Sequence, residues 1–273
     1  MVKELLPCFF NNPLRTADFV GVMNRLIWEY NFVNKMFITA YSLLSNLHRI
    51  SLNEFPSEVL VFGGTYPLSP NQVLAMGKAV GKCHNLRALA LNFTRIKNRG
   101  LKALCESLKS DSYKAKRAND RGLYSLDLTN NFIEGDGIIE LVALFHDQFI
   151  AAQNSHFQIN FPVPTTIRSL TLNHNLLGRV GADAVAQLLE TSRTLFSLSI
   201  RSCRIEGRDV RRFSVALQQN KTLRYLDLGS NKLGDEGSQL IAEALSSNQG
   251  LEYLDMFDVD FGNNTAFAFQ NML

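Results

Sequence analysis

The chain has 273 residues and a formal net charge of +3, and 46% of its residues are apolar while 19% are charged. This composition excludes an intrinsically disordered protein, because it supplies enough apolar side chains for a continuous core. No run approaches the ~18 apolar residues of a membrane-spanning helix, and the opening MVKELLPCFF lacks the basic start and long apolar run of a signal peptide. We therefore expect an intracellular protein, and the sequence leaves cytoplasmic, cytoskeletal and mitochondrial locations open.

The N-terminal part of the chain follows no repeating pattern. We predict that residues 1–57 form a helical cap and a degenerate first repeat. Thr16 is a suitable N-cap for a helix whose apolar face runs from Phe19 to Val33. A weak repeat unit follows, and its apolar residues lie near the offsets of the later units: Val61, Leu68, Met76 and Val80.

A clear sequence frame then recurs six times. The units begin at Leu86, Leu123, Ile167, Leu195, Leu223 and Leu251. The last four starts are each 28 residues apart. The fourth and sixth residues of every unit are also apolar, as in Leu226 and Leu228, and this alternation is typical of a short strand with one buried face.

The ninth residue of the frame is predicted to be buried in the turn that follows the strand. It is asparagine at Asn131, Asn175 and Asn231, and cysteine at Cys203. A side-chain amide at this place can pair with turn backbone that would otherwise be buried without a hydrogen bond. Apolar residues then return at helical spacing, so each unit is predicted to contain one strand, one turn and one helix.

A single unit is too small to bury its own apolar faces, so the units must stack on their neighbours. We therefore predict an α/β solenoid over residues 58–273, with an inner parallel β-sheet and outer α-helices. The chain contains the pattern LxxLxLxxN or LxxLxLxxC, followed by an LGDEG-like sequence and a helix with the pattern LxxAL. This combination resembles the ribonuclease-inhibitor type of leucine-rich repeat protein. This resemblance implies a horseshoe-shaped fold. It implies no single function, because such horseshoes inhibit ribonucleases, activate the Ran GTPase, sense ligands in NOD-like receptors and build axonemal or ribosomal assemblies.

The concave face of the predicted solenoid is the first candidate binding surface. Positions three, five and seven of each unit point to this face, opposite the buried residues. These positions are small or polar in the first units, whereas the last units place aromatic and charged residues on strands ~4.8 Å apart, as is typical of protein-binding hot spots. The predicted partner-binding residues are Arg201, Tyr225, Asp227, Tyr253, Asp255 and Phe257. The aspartates have an alternative interpretation as ordinary repeat residues, because the sequence Leu-Asp-Leu is common in this type of repeat.

Charge is unevenly distributed along the chain. Residues 82–121 carry eleven Lys or Arg against three acids, whereas residues 226–273 carry eight acids against one Lys. We predict a basic patch formed by Lys97, Arg99, Lys114, Lys116, Arg117 and Arg121. This patch is either a solvated face or a contact for RNA or an acidic protein, and no aromatic interleaving accompanies it in the sequence.

The sequence offers no constellation for catalysis. The five histidines do not occur at metal-ligand spacing, and the four cysteines form no CxxC pair, so we predict buried free thiols, no metal and no cofactor. The Glu134-Gly135-Asp136-Gly137 segment matches Asp235-Glu236-Gly237 of a later unit and is interpreted as a repeat turn rather than a calcium loop.

The sequence thus predicts a non-enzymatic protein–protein interaction module, a scaffold or structural subunit of a larger intracellular assembly. Two alternatives stay open: a regulator or inhibitor of a GTPase or ribonuclease, and an RNA-contacting subunit of a ribonucleoprotein. Several aromatic residues near the last residue of the sequence, among them Phe257, Phe261 and Phe267, predict apolar surface that either a partner or a further piece of chain covers.

Overall fold

The computed structural model describes residues 59–61, 67–80, 86–109, 123–153 and 167–272. The side chains of residues 59, 146–153 and 271–272 lie outside this description. The predicted cap over residues 1–57 also lies outside the described residues.

Short strands and longer helices alternate along the described part of the chain. The strands are β1 (Val59–Val61), β2 (Ala88–Ala90), β3 (Ser125–Asp127), β4 (Ser169–Thr171), β5 (Ser197–Ser199), β6 (Tyr225–Asp227) and β7 (Tyr253–Asp255). The helices are α1 (Pro70–Val80), α2 (Lys97–Lys109), α3 (Gly135–Gln153), α4 (Gly178–Thr191), α5 (Val210–Gln219), α6 (Gly234–Leu245) and α7 (Asn263–Met272), and a 3₁₀ turn (Gly207–Asp209) precedes α5.

The strands form one parallel sheet in which each strand pairs with the next one along the chain, in the order β1 to β7. The register aligns equivalent positions of the repeat frame, so that Leu198 pairs with Leu226 and Leu226 pairs with Leu254. Each helix packs against the helix of the following repeat, from α1 against α2 to α6 against α7. The predicted α/β leucine-rich-repeat solenoid is therefore confirmed.

The core lies between the sheet and the helices. The fourth and sixth positions of the frame are almost fully buried in the first five clear units, as Leu170, Leu172 and Leu226 show with exposures of 0%, whereas Leu254 in the last unit is only partly buried. One detail of the weak first unit was predicted wrongly. Val61 is 62% exposed and Leu60 is 2% exposed, because β1 pairs with β2 in the register that places Leu60 opposite Leu89.

The ninth position forms a buried hydrogen-bonded ladder along the turns. Asn175 is 1% exposed; its Nδ2 donates to the carbonyls of Leu128 and Leu172, and its Oδ1 accepts the backbone N–H groups of Asn131 and Ile133. Asn131 and Asn231 make equivalent bonds to their own neighbouring turns. The sequence-based prediction of buried turn asparagines is confirmed, and each amide ties one repeat to the preceding one.

In the described ranges, no helix is both long enough and apolar enough to cross a membrane.

Candidate functional site

The aromatic residues of the last two strands meet on the concave face. The in-register pairing of β6 with β7 places Tyr225 beside Tyr253. Their rings stack with centroids 4.7 Å apart and planes inclined by only 3°. The concave side chains of consecutive repeats therefore act as one continuous surface.

Arg201, which follows β5, extends across both later strands and joins them. Its Nη2 donates to Asp255 Oδ2 at 2.7 Å, and its Nε donates to Asp227 Oδ2 at 3.2 Å. Its guanidinium carbon also lies 5.7 Å from the centre of the Phe257 ring, a cation–π distance. We call Arg201, Tyr225, Asp227, Tyr253, Asp255 and Phe257 the concave cluster. All six were predicted from the sequence as site residues, and the structure brings them together.

Asp227 and Asp255 have different surroundings within the concave cluster. Asp227 is 5% exposed, and its two oxygens also accept hydrogen bonds from the Ser199 hydroxyl at 2.8 Å and the Gly229 N–H at 2.9 Å. Asp255 is more open, and its other oxygen accepts the N–H of Phe257 at 2.8 Å. Asp227 therefore holds Arg201 in place and has no free carboxylate oxygen, so the surface is less acidic than the sequence suggested.

The electrostatic environment raises the pKa values of Arg201 and Tyr225. Burial lowers the pKa of Arg201, but hydrogen bonds and attraction from Asp227 and Asp255 outweigh this effect and leave the pKa above its usual value. Burial is the largest cause that raises the pKa of the Tyr225 phenol, and the negative charge of Asp227 adds to it. Tyr225 therefore presents a neutral ring and a hydroxyl group.

Three residues that sequence reasoning did not select also build the site: Asn173, Ser199 and Gly229. Asn173 Oδ1 accepts a hydrogen bond from the backbone N–H of Arg201 at 2.8 Å, and it lies 2.7 Å from the Ser199 hydroxyl oxygen, whose one proton is shared between Asn173 and Asp227. A side-chain Cβ at Gly229 would lie 2.5 Å from the guanidinium carbon of Arg201. Only a glycine leaves room for the arginine to cross β6, and the glycine at frame position seven was the available sequence signal.

Two parts of the chain match a known family model. The family model described as "Leucine Rich repeat" matches residues 82–105 and 219–242. The chain therefore contains leucine-rich repeats, in agreement with its parallel sheet and its outer helices. No curated protein matches its sequence at a significant level. Its assignment to the ribonuclease-inhibitor type stays a prediction.

Solved structures of other proteins resemble parts of this leucine-rich repeat protein. Actin-binding site 2 of leiomodin-1 is 20% identical, with a TM-score of 0.45 over 62% of this chain and 84% of that chain. The C-terminal domain of tropomodulin from Caenorhabditis elegans is 12% identical, with a TM-score of 0.29 over 84% of this chain and 92% of that chain. A chain of the yeast Rad7 and Elc1 complex is 14% identical, with a TM-score of 0.27 and 89% coverage of each chain.

The predicted basic patch is only partly within the described residues of the leucine-rich repeat protein. Lys97 and Arg99 are exposed in the first turn of α2. The other four predicted residues, Lys114, Lys116, Arg117 and Arg121, lie in segment 110–122, outside the description. A single basic cluster therefore stays a prediction.

The cysteines within the described ranges have an inert environment. Cys105 and Cys203 are buried free thiols, as predicted, and burial is the main cause that raises the pKa of each to about 12. Cys203 occupies the ladder position and donates its S–H to the Leu172 carbonyl, with a distance of 3.2 Å. Within the same ranges, His, Cys, Asp and Glu form no group of three or more that could hold a metal ion.

The outermost phenylalanines differ in exposure. Phe261 and Phe267 are 55% and 64% exposed. Phe269 is partly buried and packs edge-on against Phe261, with ring centroids 6.4 Å apart. The apolar surface predicted near the end of the sequence is thus present in the last described repeat.

Proposed function

We propose that this leucine-rich repeat protein is a non-enzymatic protein–protein interaction module, a scaffold or structural subunit of an intracellular assembly, and that it binds its partner through the concave cluster. One observation carries the proposal: Tyr253 and Phe257 are 53% and 72% exposed on a surface where neighbouring side chains are held in place. Tyr253 is stacked on Tyr225, and Phe257 lies over Arg201, which two carboxylates bind.

Fixed aromatic side chains suit protein binding. A partner gains the contact area of each ring while little conformational entropy is lost, because stacking and ion pairing already hold the rings. Aromatic residues and arginine are also the residue types that most often dominate interface energies. The geometry therefore supports a hot spot at the last strands of the sheet.

The chemistry of the concave cluster supports a non-enzymatic role. Its arginine is engaged by two carboxylates, and the buried carboxylate of Asp227 has no free oxygen to act as a base. The tyrosine and arginine pKa shifts both favour the forms already present at neutral pH. A surface with these properties offers binding contacts but no poised nucleophile or proton donor.

The test compares two pairs of exposed aromatic residues. Tagged full-length chains carrying Tyr253→Ala with Phe257→Ala, or Phe93→Ala with Phe132→Ala, are expressed in native cells and purified with their partners. Phe93 and Phe132 are 52% and 43% exposed and lie in the turns after β2 and β3, so they are a matched control. Quantitative mass spectrometry should show that the first variant loses partners which the wild type and the control retain.

Circular dichroism checks that both variants keep the repeat fold. Recovery of the same partners at wild-type levels by the folded Tyr253/Phe257 variant would remove the concave cluster as the binding surface.

A further inference from the structure

The second position of the repeat frame forms a row at the beginning of the strands. The backbone N–H of Tyr124 donates to the Arg87 carbonyl at 2.7 Å, and that of Arg168 donates to the Tyr124 carbonyl at 2.8 Å. Phe196 bonds to Arg168, and Arg224 bonds to Phe196, each at 2.8 Å. Five consecutive repeats therefore present Arg, Tyr, Arg, Phe and Arg side by side. We call these residues the Arg/aromatic row.

The alternation of arginine and aromatic residues in the row is not apparent from the linear sequence, because neighbouring members are separated by 28 to 44 residues. Because neighbouring strands lie ~4.8 Å apart, the row runs for about 19 Å along the N-terminal ends of the strands. It is also separate from the concave cluster, whose side chains come from positions three, five and seven of the frame.

The aromatic members of the row are available to a ligand. Tyr124 and Phe196 are each 46% exposed. The guanidinium carbon of Arg168 lies 5.9 Å from the centre of the Tyr124 ring, which shows that adjacent members project to the same side. Each aromatic ring therefore lies next to an arginine on a surface that a ligand can reach.

The three arginines of the row differ in their acidic neighbours among the described residues. Within the described residues, Arg87 and Arg168 have no carboxylate within ion-pair distance, whereas Arg224 pairs with Glu252 at 3.2 Å. Glu252 occupies the next place in the row, since its N–H donates to the Arg224 carbonyl at 2.8 Å. The positive stretch thus runs from β2 to β6 and ends at an acidic residue before β7.

We propose that the Arg/aromatic row binds a single-stranded polynucleotide. Guanidinium groups attract phosphates, and the half-exposed rings of Tyr124 and Phe196 offer aromatic surface on which bases can stack. An acidic polypeptide would use the arginines but gain little from the rings, because its carboxylates have no planar face to stack. The combination of unpaired arginines with rings between them therefore favours the polynucleotide.

The binding test uses the full chain and a fluorescein-labelled 12-mer of oligouridylate. Fluorescence anisotropy measures the dissociation constant at several salt concentrations, for the single strand and for an RNA duplex of the same length. Tyr124→Leu with Phe196→Leu preserves apolar area but removes the planar rings. It should raise the dissociation constant about five- to a hundredfold for each base that loses its stacking partner, with the salt dependence retained.

The matched control is Phe93→Leu with Phe132→Leu. Phe132 also has an arginine near its ring, since the guanidinium carbon of Arg95 lies 6.0 Å from the ring centre. Phe132 follows β3, however, whereas the members of the row precede their strands. This control should leave oligouridylate binding unchanged. Arg87→Gln with Arg168→Gln should weaken binding and reduce the slope of log affinity against log salt by about 1.4, the value for two phosphate contacts on a single strand.

Four results would overturn the inference, provided that thermal melting shows folded variants. The first is absence of oligouridylate binding by the wild type. The second is equal loss in the Tyr124/Phe196 variant and the Phe93/Phe132 control. The third combines two observations: poly-L-glutamate at equal charge displaces oligouridylate, and the Tyr124/Phe196 change leaves the dissociation constant unaltered. Together they would assign the row to acidic proteins. Preference for the duplex would likewise contradict base stacking.

Discussion

The concave face contains two halves that share a backbone but differ in chemistry. In the half formed by β2 to β4, Asp127 accepts hydrogen bonds from the Asn92 amide at 3.1 Å and the Thr129 hydroxyl at 2.6 Å. In the half formed by β5 to β7, the equivalent Asp227 binds Arg201, which continues to Asp255 on the next strand. The first half is a small polar surface, and the second is an ion-paired aromatic one.

The difference arises at position seven of the frame, just after each strand. The first half has Asn92, Thr129 and Asn173 there, and their short side chains bond within one or two repeats. The second half has Arg201 and Gly229, so that a long side chain crosses the space which a small residue leaves. A constant scaffold can therefore change its binding chemistry through one position per repeat, without any change in strand register.

The largest expected effect tests whether both halves of the concave face depend equally on the asparagine ladder. Asn175→Leu and Asn231→Leu should each lower the free energy of unfolding by about 1–3 kcal/mol, because each change leaves two buried backbone N–H groups of a turn without their side-chain acceptor. Urea denaturation measures the effect, and Asn263→Leu at an exposed helix start is the control. Wild-type stability in either ladder variant would show that the two halves do not depend equally on the ladder.

A smaller effect is expected from the equivalent aspartates. Asp227→Asn should destabilise the fold by about 1–2 kcal/mol, because it removes a charge that holds the arginine. Asp127→Asn should cost less than about 1 kcal/mol, because its partners are neutral donors. Paired urea unfolding curves measure the difference, and equal losses would contradict the distinction between the halves.

Gly229→Ala should act on binding more than on stability. The new methyl group displaces the flexible end of Arg201 and with it the cation beneath Phe257, so partner affinity should fall about two- to fivefold, as expected for one exposed cation–π contact. Thr129→Ala, at the same frame position in the first half, is the control. Binding curves for the purified partner measure the effect, and identical affinities for both variants would argue against a role for the crossing arginine.

The smallest expected effect is a shift in one titration. Because the pKa of Tyr225 is raised in the folded chain, its phenol should ionise above the usual value of 10.0. Its contribution to stability is present below pH 10.0 and is lost as the pH rises through the folded-state pKa. The ultraviolet difference between wild type and Tyr225→Phe measures the midpoint, which Asp227→Asn should lower. A midpoint at or below 10.0 would show that burial and the carboxylates do not act on this phenol.

Sequence reasoning located the concave cluster but not its internal geometry. The frame placed Tyr225 and Tyr253 on one face, since alternation in a strand is a local property. It did not show that Asp227 is buried by Ser199 and Arg201, because the extended arginine side chain could have pointed into solvent. The same reasoning missed Asn173 and Gly229, whose roles depend on the conformation of that one side chain.

The sequence by itself determined the strand, turn and helix of each repeat, the buried ladder of asparagines and the faces of the sheet. These follow from short-range periodicity, and each unit must repeat the pattern in order to stack. Only the tertiary structure decided which side chains of different repeats meet. Arg201 reaches Asp255 over 54 residues of sequence, and the Arg/aromatic row joins residues of five repeats. Such contacts depend on the parallel register and on the conformations of long side chains, and neither is encoded in any single repeat.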